Sequence, residues 1–231
     1  MERLWRVAGG LCIAYVVLLL AGYSQQRSPV FGASAASIAG VYSRVPAGKM
    51  YAGAILVTAA SLLLLAAFTL IGRLLRGSTG GADWASSLVL TAGTAAAAVT
   101  LVGSYAGAFA AYYAATHGFG VGTVAGLSMI SKFSDLVAAG ATGLCAVAIG
   151  AAGLATRRLP SWAAWISIVV GAVDIVSGTG PAQLNMGTLV GLAWMIMLGV
   201  VMLRGPAGRA VALGDDPAGT EPASSLAAGL S

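Results

Sequence analysis

Three ionisable side chains fall within or beside long apolar runs: Lys132, Asp135 and Asp174. A charge at the centre of a bilayer costs ~2.5 to 3.5 kcal/mol on insertion scales, so each needs a partner, a water-filled cavity or a neutral state. Lys132 and Asp135 are three residues apart and share a helical face with Ser128 and Ser131, while Ser167, Gly171, Asp174 and Gly178 form a matching small and polar face further along. If the two faces meet, Asp174 looks outward toward Lys132 and Asp135, with Tyr105 and either Gln183 or Asn185 near the same level. Two chemistries follow. In one, a polar pocket opens to the outer side and Asp174 binds a cation, a proton or a polar head group. In the other, Lys132 neutralises Asp174 or Asp135, and the cluster is an ion-pair clip between two helices.

Other chemistry lacks the residues. One histidine, His117, and two cysteines, Cys12 and Cys145, cannot supply the two axial ligands of a b-type haem, a four-cysteine cluster, a CxxC pair or an HExxH zinc site, so no metal and no cofactor is expected. Both cysteines sit in apolar runs, where a thiol behaves as a small hydrophobe, and no disulfide between them is expected. His117 lies in a glycine-rich turn with no carboxylate near it in sequence, which reads as a solvated loop histidine rather than a proton sensor. Ser128, Ser131 and Ser134 have no histidine at their depth and no GxSxG occurs, so no catalytic residues are assigned. The net charge of +5 comes from arginines paired at the ends of apolar runs, not from one basic face, and nucleic acid is not an expected partner.

The elements that must position these groups are membrane spans. Of 231 residues, 58% are hydrophobic and only 8% charged, too few charges to coat a soluble globule but enough to punctuate helices needing ~20 apolar residues each. The expected fold is an all-α transmembrane six-helix bundle over residues 1–204, with spans at 7–23, 50–72, 86–113, 126–156, 162–178 and 183–203. Residues 84–131 contain no Asp, Glu, Lys or Arg, so they accommodate two spans, with the turn at His117 and the glycines after it. Gly178, Gly180 and Pro181 end the fifth span, and Gly205 and Pro206 the sixth. At 1.5 Å per residue, Lys132 and Asp135 fall at headgroup level, whereas Asp174 lies ~18 Å in from the inner face.

Basic residues near span ends set the orientation. Arg3, Arg6, Arg73, Arg76, Arg157, Arg158, Arg204 and Arg209 fall on one side, and Arg27, Arg44 and Lys49 on the other, so both termini are expected in the cytoplasm. Trp5, Trp84 and Trp162 at inner boundaries, and Tyr23, Tyr51, Tyr112 and Tyr113 at outer ones, suit interfacial anchoring. A secretory signal ending at Ala33-Ser34-Ala35 is the rival reading of the start, but the apolar run is long and its gap to that site wide, which favours an uncleaved span. The first loop, 24–49, is mildly apolar between Pro29 and Pro46 and is expected to lie on the outer surface. Residues 205–231 are rich in Gly, Pro, Ala and Ser and are expected to form a disordered cytoplasmic tail.

Spans in lipid associate through small residues and a few polar contacts. Gly103/Gly107, Gly122/Gly126 and Gly187/Gly191 are small-xxx-small pairs that could mediate contacts within the bundle, with protein partners or with a second copy. Ser87, Thr91, Thr94, Ala98, Tyr105 and Tyr112 are spaced as one stripe, expected to face the bundle.

Residues 139–173, in which a glycine-rich span ends at Thr156-Arg157-Arg158-Leu159-Pro160-Ser161-Trp162 and restarts as Ala163-Ala164-Trp165-Ile166, resemble the fourth-to-fifth span junction of uncharacterised multi-span membrane proteins of high-GC bacteria. That resemblance brings no activity and no catalytic residues. The expected role is a non-enzymatic subunit or accessory factor of the cytoplasmic (inner) membrane, with the lipid bilayer as its constant partner. The alternative is a small transporter with Asp174 as its coupling carboxylate, against which stands the lack of an acidic counterpart in the second span. An intramembrane enzyme is a distant third.

Overall fold

A computed structural model describes residues 2–25, 29–30, 32–76, 80–177 and 184–205, and among them the regular secondary structure is entirely helical. The helices are α1 (Glu2–Ser24), α2 (Ala35–Ser43), α3 (Ala47–Leu75), α4 (Gly80–Val99), α5 (Ala106–Thr116), α6 (Val121–Thr156), α7 (Ser161–Ser177) and α8 (Leu184–Arg204). A π-helical segment, Thr100–Tyr105, joins α4 to α5 without a break. Helices Glu2–Ser24, Ala47–Leu75, Asp83–Thr116 and Val121–Thr156 are long and apolar enough to cross a membrane; Ser161–Val176 and Leu189–Arg204 are shorter apolar stretches. The turn expected at His117 is present, with Gly118 at φ +77 between α5 and α6. The turn after 178 and the tail from 206 lie outside the described residues.

The long helices close a ring in which α1 packs on α3, α3 on α4, α4 and α5 on α6, α6 on α7, α7 on α8, and α8 back on α1. Each neighbouring pair meets where a side chain is missing. A Cβ on Gly9 of α1 would come 2.5 Å from the Gly199 carbonyl of α8, one on Gly22 would come 2.7 Å from Val57 of α3, and one on Gly93 of α4 would come 2.7 Å from Phe68 of α3. Gly103 and Gly107 lie on Ser134 and Ser131 of α6, so that small-xxx-small pair is a real seam. Gly122 and Gly126 have nothing within 4 Å, and that pair makes no helix contact. Inside the ring, Val16, Leu64, Phe68, Ile71, Ile149, Trp194, Met195 and Leu198 form one apolar core.

Three expectations are corrected. Ser87, Thr91, Thr94 and Ala98 face away from the bundle, while Tyr105 and Tyr112 of the same stripe are buried. The reason is the π segment: its extra residue per turn rotates everything after it, so a stripe that is continuous at α-helical spacing is split between two faces. The Thr100 hydroxyl donates to the Ala96 carbonyl, the acceptor that an α-helix would reserve for the Thr100 N–H. The first loop does not simply lie on the surface. It folds as α2, capped by Ser34 accepting from the Ser37 N–H at 3.3 Å, and buries Ile38 and Tyr42 with Met50, Ala111, Tyr112 and Val124 against α5 and α6. Trp5 and Tyr112 are core residues rather than exposed anchors, whereas Trp84, Trp162, Tyr23, Tyr51 and Tyr113 are exposed.

Gly171 of α7 lies against the Gly143 carbonyl and Val147 of α6, so a Cβ there must push the two helices apart. Gly171→Ala should cost about 1–3 kcal/mol by overpacking. Gly10→Ala, at an α1 position with open space around it, should be neutral or slightly stabilising. Thermal unfolding of both variants in detergent checks the contrast; equal effects would mean that the seam is not tight.

Candidate functional site

Asp174 sits near the C-terminal end of α7, where that helix meets both α6 and α8. A Cβ placed on Gly143 would lie 2.7 Å from the Gly171 carbonyl and 3.0 Å from the Asp174 Cβ, and one placed on Gly191 of α8 would lie 3.0 Å from the Asp174 Oδ2. The carboxylate therefore occupies space that two neighbouring helices vacate by having no side chain. Asp174 is 2% exposed. Its Oδ1 has no hydrogen-bond partner.

The register of α6 against α7 decides what Asp174 can reach. Gly143 meets Gly171 and Gly150 meets the Ala164 carbonyl, so the helices run antiparallel with Asp174 level with roughly residue 142. Lys132 is then about ten residues further toward the start of α6, and Asp135 about seven, or ~15 and ~10 Å along the axis. Side chains also tilt toward the N-terminus of their own helix, so on antiparallel helices Lys132 and Asp174 lean apart. The face bearing Ser128, Ser131, Lys132 and Asp135 thus does not meet the face bearing Ser167, Gly171 and Asp174, and the Lys132–Asp174 clip does not form. Identical spacing on two helices defined both faces; which register brought them together was a tertiary matter.

Lys132 and Asp135 belong instead to a polar zone under α2. Both are half-buried. Ser131 is against Gly107, and Ser128 accepts a hydrogen bond from the Tyr42 hydroxyl at 3.4 Å. Burial pushes the Tyr42 hydroxyl above the ordinary phenol range, its bond to Ser128 partly offsets this, and the nearby charge of Asp135 adds to the rise. Tyr42 is therefore a neutral donor. Tyr105, brought inward by the π segment, donates to the Met50 carbonyl of α3 at 2.9 Å. It lies at the level of Lys132, since its neighbours Gly103 and Gly107 meet Ser134 and Ser131, and so it too is remote from Asp174. Gln183 and the Asn185 side chain lie outside the described residues.

Two turns back from Asp174, on the same face of α7, Ser167 is fully buried. It donates to the Ala163 carbonyl at 2.8 Å and accepts from the Trp194 indole N–H of α8 at 2.9 Å. This cross-helix bond was not anticipated. Its signal was Trp194 in the middle of an apolar segment, where a buried indole N–H needs an acceptor. Most other hydroxyls in the long helices bond back to their own helix, as Ser61 does to Val57, Thr69 to Leu65, Thr142 to Ala138 and Thr156 to Ala152. At the opposite end of the ring from α2, Arg158 donates to the Leu74 carbonyl and caps the end of α3. Among the described residues no three His, Cys, Asp or Glu side chains converge as a metal site.

No family model matches the chain, and no curated protein and no solved structure matches it.

The bond between Trp194 and Ser167 yields a test of the α7–α8 seam. Ser167→Ala strands the indole N–H and should cost about 1–3 kcal/mol, while Trp194→Phe combined with Ser167→Ala should lose less than the two single changes summed. Thermal unfolding of the four proteins measures the coupling, and strict additivity would mean that the bond contributes nothing.

Proposed function

We propose that the chain is a six-span protein of the cytoplasmic membrane with both termini in the cytoplasm, acting as a non-enzymatic subunit or accessory factor. The observation that carries this reading is how the bundle uses its polar groups. Hydroxyls on the long helices return to their own backbones, the Trp194 indole is spent on Ser167, and the ring is closed by glycine contacts at each seam. The interior is committed to holding itself together, which leaves the outer surface as the working surface.

That surface suits lipid and helix partners. Ile55, Leu62, Val102, Ile130, Phe133, Val137, Val169 and Val176 are exposed around the ring, a side-chain set that water would not tolerate but acyl chains or neighbouring spans accept. The orientation draws support from the antiparallel alternation of the seams. Arg3, Arg6, Arg73, Arg76, Arg157, Arg158 and Arg204 gather at the end where α1 begins and α3, α6 and α8 finish. Arg44 and Lys49, beside α2, lie at the other. Among the described residues, these seven basic residues against two are the asymmetry that retains an end in the cytoplasm.

Topology reporters fused after Lys49, His117 and Pro181 should read outside, and after Gly77, Leu159 and Gly208 inside; a reversed signal at any two sites overturns the orientation. The subunit role is tested with a photo-crosslinking amino acid at Val169, exposed on α7. In intact membranes it should form a protein adduct of one defined mass, and adducts to lipid alone would count against a stable partner.

A further inference from the structure

Asp174 is the one acidic side chain on α7, and it sits where α6 and α7 close to backbone contact and Gly191 of α8 lies against its carboxylate. Desolvating a carboxylate with an oxygen that no hydrogen bond reaches is among the most expensive placements a protein can make, and it persists only if something removes the charge. Among the described residues the surrounding elements offer no counter-charge. On α6, Gly143 lies against Asp174, Val147 lies against Gly171 one turn back, and Cys145 is turned to the Val89 carbonyl of α4. The α6 ionisable groups, Asp135 and Lys132, stand ~10 and ~15 Å up the axis. On α8, Gly191 is beside the carboxylate, and there is no ionisable side chain before Arg204 at the far end of the helix.

The geometry also selects the occupant. A metal or alkali ion needs several oxygen ligands and room for its own radius. Here the positions vacated by Gly143 and Gly191 are already within 3.0 Å of Asp174 atoms, and among the described residues no group of acids converges on it. A proton needs one oxygen and no space. The O–H so formed needs an acceptor, and helical carbonyls one turn back already serve the hydroxyls of Ser61, Thr142 and Ser167 in this way.

We infer that Asp174 is a proton-binding site, carried as the neutral acid in the closed bundle, and that losing the proton forces open the seam between α6, α7 and α8. This group ties proton occupancy to the packing of the ring itself. A charge appearing on Asp174 can be relieved only by admitting water or by separating helices that glycines hold together. The protein thus has two states of this seam, closed with the proton bound and loosened without it. A rise in pH shifts the balance toward the second.

The experiment uses the full chain in detergent or nanodiscs. Thermal unfolding is followed from about pH 5 to about pH 9 for the wild type and Asp174→Asn, with infrared detection of the C=O stretch of protonated carboxyl groups. A group protonated in the fold and ionised once exposed stabilises at low pH and loses that effect as pH rises through its folded-state titration. The wild-type melting temperature should fall by at least about 5 °C over this range, while the Asn variant, neutral at every pH, stays level. The protonated-carboxyl band should be present in the wild type at neutral pH, persist in Asp135→Asn and vanish in Asp174→Asn. Parallel pH profiles in wild type and Asp174→Asn, or no such band in the wild type, overturn the assignment. So does stabilisation of the wild type, but not of Asp174→Asn, by added sodium, potassium or calcium, which would make the occupant a cation. If Asp174→Asn does not fold, the wild-type and Asp135→Asn spectra decide: absence of the band in the wild type, or its loss in Asp135→Asn, overturns the proposal.

Discussion

Helices that gain nothing from leaving lipid for one another must hold together by fit, and here fit means backbones approaching within the space of a missing Cβ. That constraint recurs around the whole ring. Gly9 and Gly199 bring α1 onto α8, Gly22 brings α1 onto α3, Gly93 brings α4 onto Phe68, and Gly143 with Gly171 brings α6 onto α7. Close approach at every seam multiplies the dispersion contacts available to a wall built mostly of Ala, Val and Leu. It also explains where the polar side chains went. With so little room between helices, a hydroxyl can bond back to its own helix or cross directly to a neighbour, as Ser167 does to Trp194.

The same constraint sorts the charged groups by depth. Lys132 and Asp135 sit on the part of α6 that α2 and α5 cover, with Tyr42, Tyr105, Ser128 and Ser131 around them, so polar chemistry at this end of the bundle is shared among many groups. Asp174 lies on the tight part of the ring, level with Gly143 and Gly191, and shares it with none of them. Two carboxylates a few turns apart along the bundle thus face opposite problems. One is eased by its polar neighbours, while the other is left with a bare oxygen.

The closed ring turns an apolar surface outward. The π segment sets which residues line that surface. By rotating the second half of its helix it turns Tyr105 and Tyr112 inward to seal the end of the bundle under α2, and leaves Thr91 and Thr94, bonded to their own helix, on the outside.

Much of this was legible in the chain. Apolar length and the placement of arginine pairs, proline and glycine located each long helix, because a helix in lipid must satisfy its own backbone and needs an uninterrupted apolar run to do so. The turn at His117 and the isolation of Asp174 in an apolar segment were visible for the same reason. Register was not. The partners of Asp174 depend on which turn of α6 lies beside it, and spacing of 3.6 residues repeats along a helix, so Lys132, Asp135 and Gly143 were equally eligible until the contact of Gly143 with Gly171 chose among them. The inward face of the third long helix was hidden too, since a π turn shifts phase without any change in composition. The sequence by itself determined that these segments are apolar helices and that one carboxylate lies deep among them. Only the tertiary structure decided that α2 folds over the end, that the glycines meet pairwise, and that Asp174 is enclosed without a counter-charge, because each of those is a relation between residues distant in the chain.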